Sequence, residues 1–327
     1  MQNINGRENL LRIFKNERPL RLPLREDTAN VRFPGDNCGS LQKGKDWWGV
    51  SWVVQPFTGA MQDETVPPLF EDVSEWRDKL TIPDPYALCD WEAIAAEATA
   101  GWDRENQMCG VILLQGHFER LISLMGVENA LCAFYDEDAE DDIRALFSAI
   151  TEYKLKCLDI IKKYYNPDFV IYHDDWGTAR SMFFNPELWH DFIKDELKII
   201  IDRTHELGMF FEMHSCGHIQ EVIGPLVDEL GIDSIQTLQY PQNDIKYIKE
   251  NWGDRLVTRV GYRDADILRA DASEEEIRAA VRESISVLAP GGNHIPYFYD
   301  LIGEDNSRAI KIFYDEVKRY EAECGAY

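Results

Sequence analysis

The stretch Glu212-Met213-His214-Ser215-Cys216-Gly217 carries the residue types that bind zinc. It closes an apolar run, Met209-Phe210-Phe211, that reads as a strand. Strand side chains alternate, so Glu212, His214 and Cys216 share one face. A carboxylate, an imidazole and a thiolate on one face form a mixed donor set of the kind tetrahedral zinc accepts. The same residues also suit the start of the next helix, with Cys216 as a small core residue, and two ligands this close do not by themselves close a site.

A second group, His173-Asp174-Asp175-Trp176-Gly177, ends the apolar stretch Asp168-Phe169-Val170-Ile171-Tyr172. Adjacent carboxylates at a strand end are costly unless they meet a cation, a hydrogen-bonding substrate or a proton. Asp174 and Asp175 are therefore candidate catalytic residues, as general base, substrate anchor or partner to a ligating histidine. His173 and Trp176 go with them as candidate substrate contacts, and a solvated turn is the plainer alternative. In Gly291-Gly292-Asn293-His294 the glycines permit close backbone approach, and His294 is either a further metal ligand or a structural histidine. Gln236 and Gln239 are either polar walls of a substrate pocket or exposed strand ends. The tryptophans at 47, 48 and 52 either line an aromatic pocket or join the core.

Such residues need a scaffold that gathers strand ends. Residues 6–17 read as a short amphipathic helix, and 30–80, rich in tryptophan and turn residues, as an N-terminal elaboration with a hairpin at WWGVSWVV. A helix is expected from Asp84-Pro85. From about residue 108 apolar strands alternate with helices: MCGVILL, then 117–134 and 137–165, DFVIYH, 186–207, MFFEMH, HIQEVIGPLVDELG, DSIQTLQ, NDIKYIKENWG, RLVTRVGY, a helix capped by Ser273 and Glu276, NHIPYFYD and 304–321. This rhythm implies a parallel sheet covered by helices. Chemistry-capable residues close strand after strand (Gln115/His117, His173, His214, Gln236, Arg263/Asp264, His294), and neither GxGxxG nor GxxxxGK[ST] occurs. Both facts favour a (β/α)8 TIM barrel with an N-terminal elaboration, one domain over 1–327, rather than an open nucleotide-binding sheet.

Bulk properties narrow the partners. The chain of 327 residues has 34 basic and 59 acidic side chains, a net charge of −25. That balance opposes nucleic acid and anionic membrane surfaces. No apolar run nears the roughly 20 residues of a membrane span, and the N-terminus lacks a signal-peptide core. Seven cysteines, an odd number without a CxxC pair, fit reduced thiols. A cytoplasmic, soluble protein is expected.

Over nearly its whole length the chain resembles the uroporphyrinogen-decarboxylase and corrinoid-methyltransferase superfamily. The resemblance rests on NLLRIFKNERPLRLPL, PLFEDVSEWRDKLTIPDP, GHFERLISLMGVENAL, DDWGTARSMFFNPELWHDFIKDELKIII, HELGMFFEMHSCGHIQEVIGPLVDELGIDSIQTLQ and LAPGGNHIP. It implies a (β/α)8 barrel with its site at the strand C-termini. True decarboxylases of the superfamily carry a block like PxWxMRQAGR; the corresponding stretch here reads RPLRLPLREDTAN, which argues against that activity. The methyltransferase branch carries a His-x-Cys zinc pair and a distant cysteine in a motif like APGCG. His214 and Cys216 match the pair, but Ala289-Pro290-Gly291-Gly292-Asn293 lacks the third sulfur. Glu212 or His294 would substitute. The resemblance is nearest to enzymes that demethylate methoxylated aromatics, and it implies zinc, a methyl donor or acceptor of small size, and a corrinoid carried on a partner protein. A metal-free decarboxylase on another substrate, or a barrel that only binds a ligand, are the competing readings.

Overall fold

The computed structural model describes residues 5–34, 44–55, 59–260, 271–298 and 307–325. Seven strands make one sheet, in the spatial order β1 (Thr28–Arg32), β5 (Met108–Leu113), β6 (Phe169–His173), β7 (Phe210–His214), β8 (Ser234–Gln236), β9 (Val257–Val260) and β10 (His294–Pro296). Every neighbouring pair is parallel. Three further strands, β2 (Gly44–Lys45), β3 (Ser51–Gln55) and β4 (Gly59–Gln62), form a separate antiparallel sheet.

The parallel sheet curls. Met108 of β5, Phe169 and Ile171 of β6, Val257 of β9 and Ile295 of β10 share one buried cluster. In a flat sheet β5 and β10 would lie roughly 24 Å apart, five strand spacings, so only curvature brings them together. The plug is helix α1 (Gly6–Phe14), whose Leu10, Ile13 and Phe14 belong to the same cluster. Phe14 packs on Phe169 and Phe210 at 5.9 and 5.0 Å, and Arg7 pairs with Asp168 just before β6. The helix therefore closes the N-terminal end of the strands and leaves the C-terminal end to the site. Among the described residues the ladder stops at seven strands, and no pairing joins β10 to β1; this half-barrel is short of the closed eight-stranded barrel expected from the sequence.

Most expected elements form, with instructive differences. Ser273 and Glu276 exchange both bonds of a capping box at the start of Glu274–Leu288. The helix expected from Asp84-Pro85 is only a 3-10 turn there; the α-helix is Trp91–Ala98, where the Asp90 side chain accepts from Ala93 N. The helical stretch 117–134 breaks at Gly126, which lies at φ +84. Strand β1 stands outside the alternation read from the sequence: Thr28–Arg32 is short and polar, and only partly buried in the fold. The hairpin expected at WWGVSWVV forms a few residues earlier: β2 and β3 pair antiparallel, and the segment holds their turn and most of β3. Trp48 and Trp52 are buried in the main core rather than lining a pocket, and Trp48 meets Tyr153 edge-on at 5.0 Å. No described helix is long and apolar enough to cross a membrane.

Candidate metal centre

β6 and β7 pair in register, with His173 opposite His214, and β8 continues the row with Gln236 opposite His214. Residues level with each other on adjacent parallel strands project to the same face. The two imidazoles consequently stack, with centroids 3.9 Å apart and planes 15° from parallel. Each is held at Nδ1 by a side-chain oxygen. His214 Nδ1 lies 2.9 Å from Gln236 Oε1, and His173 Nδ1 lies 2.9 Å from Glu119 Oε1. The Gln236 contact sets the tautomer of His214 and aims its other nitrogen, and the Glu119 contact is an ion pair that holds His173 in place.

The two rings differ in charge. Burial, then the neighbouring charge of His173, pulls His214 down to about 3, so it is a neutral ring whose Nδ1–H donates to Gln236 and whose Nε2 keeps its lone pair. Burial also disfavours the charged form of His173, but Glu119, then Asp175, outweigh it and lift the group to about 9. Burial raises the carboxyl of Glu119, and burial followed by the charge of Asp175 raises the Cys216 thiol. A thiolate at Cys216 therefore requires a cation beside it.

Cys216 Sγ is 3.6 Å from His214 Nε2, and Asp175 Oδ1 is 3.7 Å from the same nitrogen. Ligand atoms of His173, Asp175 and His214 all lie within 4.8 Å of one another. For zinc bonds of about 2.05 Å to nitrogen and 2.3 Å to sulfur, tetrahedral geometry separates the two donors by about 3.6 Å. The His214–Cys216 spacing thus fits a pair sharing one zinc ion.

Two loops bring this about. Asp175 Oδ1 accepts from Cys216 N at 2.7 Å, and His218 N donates to Thr178 O at 2.9 Å. The glycines of the two motifs meet backbone to backbone: a Cβ on Gly177 would come within 2.5 Å of Cys216 O and His218 N. Gly217, at φ +75, has Gly177 on its other side. Replacing Gly177 by Ala is expected to cost about 1–3 kcal/mol through overpacking and to weaken metal binding by parting Asp175 from Cys216. Chemical denaturation and metal titration check this; wild-type values in both would mean that the loops do not depend on this contact.

The remaining candidates fall elsewhere. Asp174 is fully buried and turned to the helix His117–Met125, where it accepts from Phe118 N and Glu119 N at 3.2 and 2.8 Å. Burial, then Glu119, lifts its carboxyl to about 7. It anchors a helix N-terminus rather than facing the histidine pair. Trp176 is likewise fully buried, edge-on to Trp189 at 5.7 Å, and belongs to the core rather than to a substrate surface. Gln236 holds His214, and Gln239 Oε1 accepts from Gly217 N at 2.7 Å, so both brace the site. Glu212 shares the face of His214, as alternation requires, but accepts from Arg259 Nε at 2.9 Å and Ser234 Oγ at 2.7 Å inside the sheet's curl. His294 Nδ1 sits 3.1 Å from both Thr258 O and Thr258 Oγ1, and burial, then Lys249, holds it down to about 3. Neither joins the grouped donors. His117 is buried against Thr151 Oγ1 at 2.9 Å. Arg263 and Asp264 lie outside the described residues.

Sequence reasoning missed Glu119. It is a lone acid in the first turn of a helix, and its partner His173 is more than fifty positions away, so no local pattern marks it. Two non-glycine residues beside the site lie at positive φ: Gln115 after β5 (φ 59), one of the strand-end residues named from the sequence, and Thr237 after β8 (φ 61), which no local pattern marks. A β-branched residue in that region is strained, and such strain collects at functional sites.

No family model matches the chain, and no curated protein matches it. Solved structures do match. One, from Listeria monocytogenes and described as a candidate vitamin-B12 independent methionine synthase, aligns with a TM-score of 0.50 at 16% identity, over 75% of this chain and 72% of its own. The two proteins share a fold. At that identity the likeness speaks for the architecture alone.

Proposed function

We propose that this chain is an enzyme of the uroporphyrinogen-decarboxylase-like superfamily that works as a zinc-dependent methyltransferase, moving a methyl group between a methoxylated aromatic compound and a corrinoid carried by a partner protein. The observation that carries the reading is the His214–Cys216 pair, set at the donor spacing of tetrahedral zinc with His214 neutral and oriented by Gln236. His214 Nε2 and Cys216 Sγ would hold the metal. Bound there, zinc supplies Lewis acidity to an ether oxygen.

The chain's own residues do the rest. Gln236 keeps the His214 lone pair facing the cluster, and Gln239 fixes the Cys216-Gly217 turn through Gly217 N. Asp174 works through the backbone, tying the start of the helix that carries Glu119 to the end of β6. Glu119 holds His173 beside the pair, where Nε2 of His173 can hold a proton for the departing oxygen. The half-barrel mouth, opposite the α1 plug, is where a corrinoid protein would dock.

Purified protein is expected to contain about one zinc per chain, and His214→Ala/Cys216→Ala none, by elemental analysis. Zinc loss in the double variant, followed by methyl transfer from methoxyaromatics to a corrinoid protein in the wild type alone, supports the reading. Wild type that holds no zinc even after reconstitution removes it and favours a metal-free decarboxylase on the same scaffold.

A further inference from the structure

His214 and Cys216 supply two ligands to a metal that takes four, and the geometry points to Asp175 as the residue that supplies a third. The inference rests on the zinc reading above and adds the third ligand. Four observations converge. Asp175 Oδ1 is 3.7 Å from His214 Nε2, close to the roughly 3.4 Å that separates nitrogen and oxygen donors on one tetrahedral zinc. The carboxylate is pinned from the opposite motif, since Cys216 N donates to Asp175 Oδ1 at 2.7 Å. The Gly177–Gly217 contact zips the two loops so that this approach is built into the backbone. Neither residue proposed from the sequence for this place joins the donors grouped around His214: Glu212 accepts from Arg259 and Ser234, and His294 lies outside the group that contains Asp175.

A His214, Cys216, Asp175 set keeps one position open, as catalytic zinc sites do. It also exchanges a soft thiolate for a hard carboxylate, which leaves more positive charge on the metal. That suits a donor bonded through oxygen better than a thiol acceptor. Asp174, the neighbouring carboxylate, cannot take this role, because the N–H groups of Phe118 and Glu119 hold it on the other side of the turn.

The test is cobalt(II) and zinc binding to the full chain. Asp175→Asn keeps an oxygen to accept from Cys216 N. It is expected to lower zinc affinity at least 100-fold while keeping the thiolate-to-cobalt charge-transfer band of Cys216. Glu212→Gln and His294→Asn are expected to bind within a few-fold of wild type, provided circular dichroism shows them folded. X-ray absorption on zinc-loaded wild type, which needs no variant, is expected to find one sulfur among nitrogen and oxygen scatterers. Wild-type affinity in Asp175→Asn, or two sulfur scatterers, overturns Asp175 as a ligand and leaves the zinc reading standing. Failure of the wild type to bind either metal overturns both.

Discussion

Arg259→Met is expected to destabilise the protein by about 3–5 kcal/mol. Arg259 and Glu212 are 1% and 0% exposed, and Nε donates to Oε2 at 2.9 Å inside the curl of the sheet. The guanidinium also lies over the ring of Phe169, 5.0 Å from its centroid. Removing the cation leaves a carboxylate in an apolar interior with only the Ser234 hydroxyl as a described partner besides. Desolvation then dominates, because the buried charge has lost the interaction that offset it. The double variant Glu212→Leu/Arg259→Met is expected to recover most of the loss, since an apolar pair of similar volume carries no such penalty. Urea unfolding of the two variants settles the point. A loss below 1 kcal/mol in Arg259→Met would show that Glu212 is not confined to this pair, and would reopen its candidacy as a metal ligand.

Asp46→Ala is expected to have an effect of the same size, about 3–5 kcal/mol, with a functional consequence. Asp46 and Arg120 form an ion pair at 2.7 Å whose side chains are both wholly buried. Asp46 Oδ1 also accepts from Trp48 N and Val50 N at 2.9 Å each, so this one carboxylate shapes the β2–β3 turn as well. Arg120 adds a contact over the Trp48 ring at 4.8 Å. The pair fastens the small antiparallel sheet to the helix His117–Met125, whose Glu119, next to Arg120, holds His173. Loss of Asp46 should therefore loosen the His173 side of the site as well as the fold. Arg120→Met and the double variant complete a thermodynamic cycle, and additivity of the two single losses would contradict the pair. Wild-type metal affinity in a folded Asp46→Ala protein would contradict the link to the site.

Much of this molecule was legible as a string of residues. Apolar runs bounded by turn residues located β5 to β10, and the Ser273–Glu276 spacing located a helix start that forms as written. Alternation along Phe210–His214 put Glu212 and His214 on one face, and two positions further on Cys216 was placed within reach of the same nitrogen. These are local properties, set by the periods of strand and helix and by what a side chain can do to its own backbone.

Local pattern does not contain register, and register decided the site. His173 stands level with His214 only because β6 and β7 pair as they do, and a slip of one residue would have turned one ring to the outside. Asp174 and Asp175 look alike in sequence, yet a helix N-terminus takes one and the other faces His214. Glu212 reads as a metal ligand until Arg259, 47 residues later, claims it. Asp46 meets Arg120 across 74 residues. The sequence by itself determined the succession of strands and helices, the two chemically loaded loops and the strand face on which His214 lies. The tertiary structure alone decided how far the sheet curls and which carboxylate stabilises the fold or faces the site. The physical reason is that a buried charge is placed by the partner that offsets its desolvation, and that partner is chosen by packing across the sheet rather than by its neighbours in the chain.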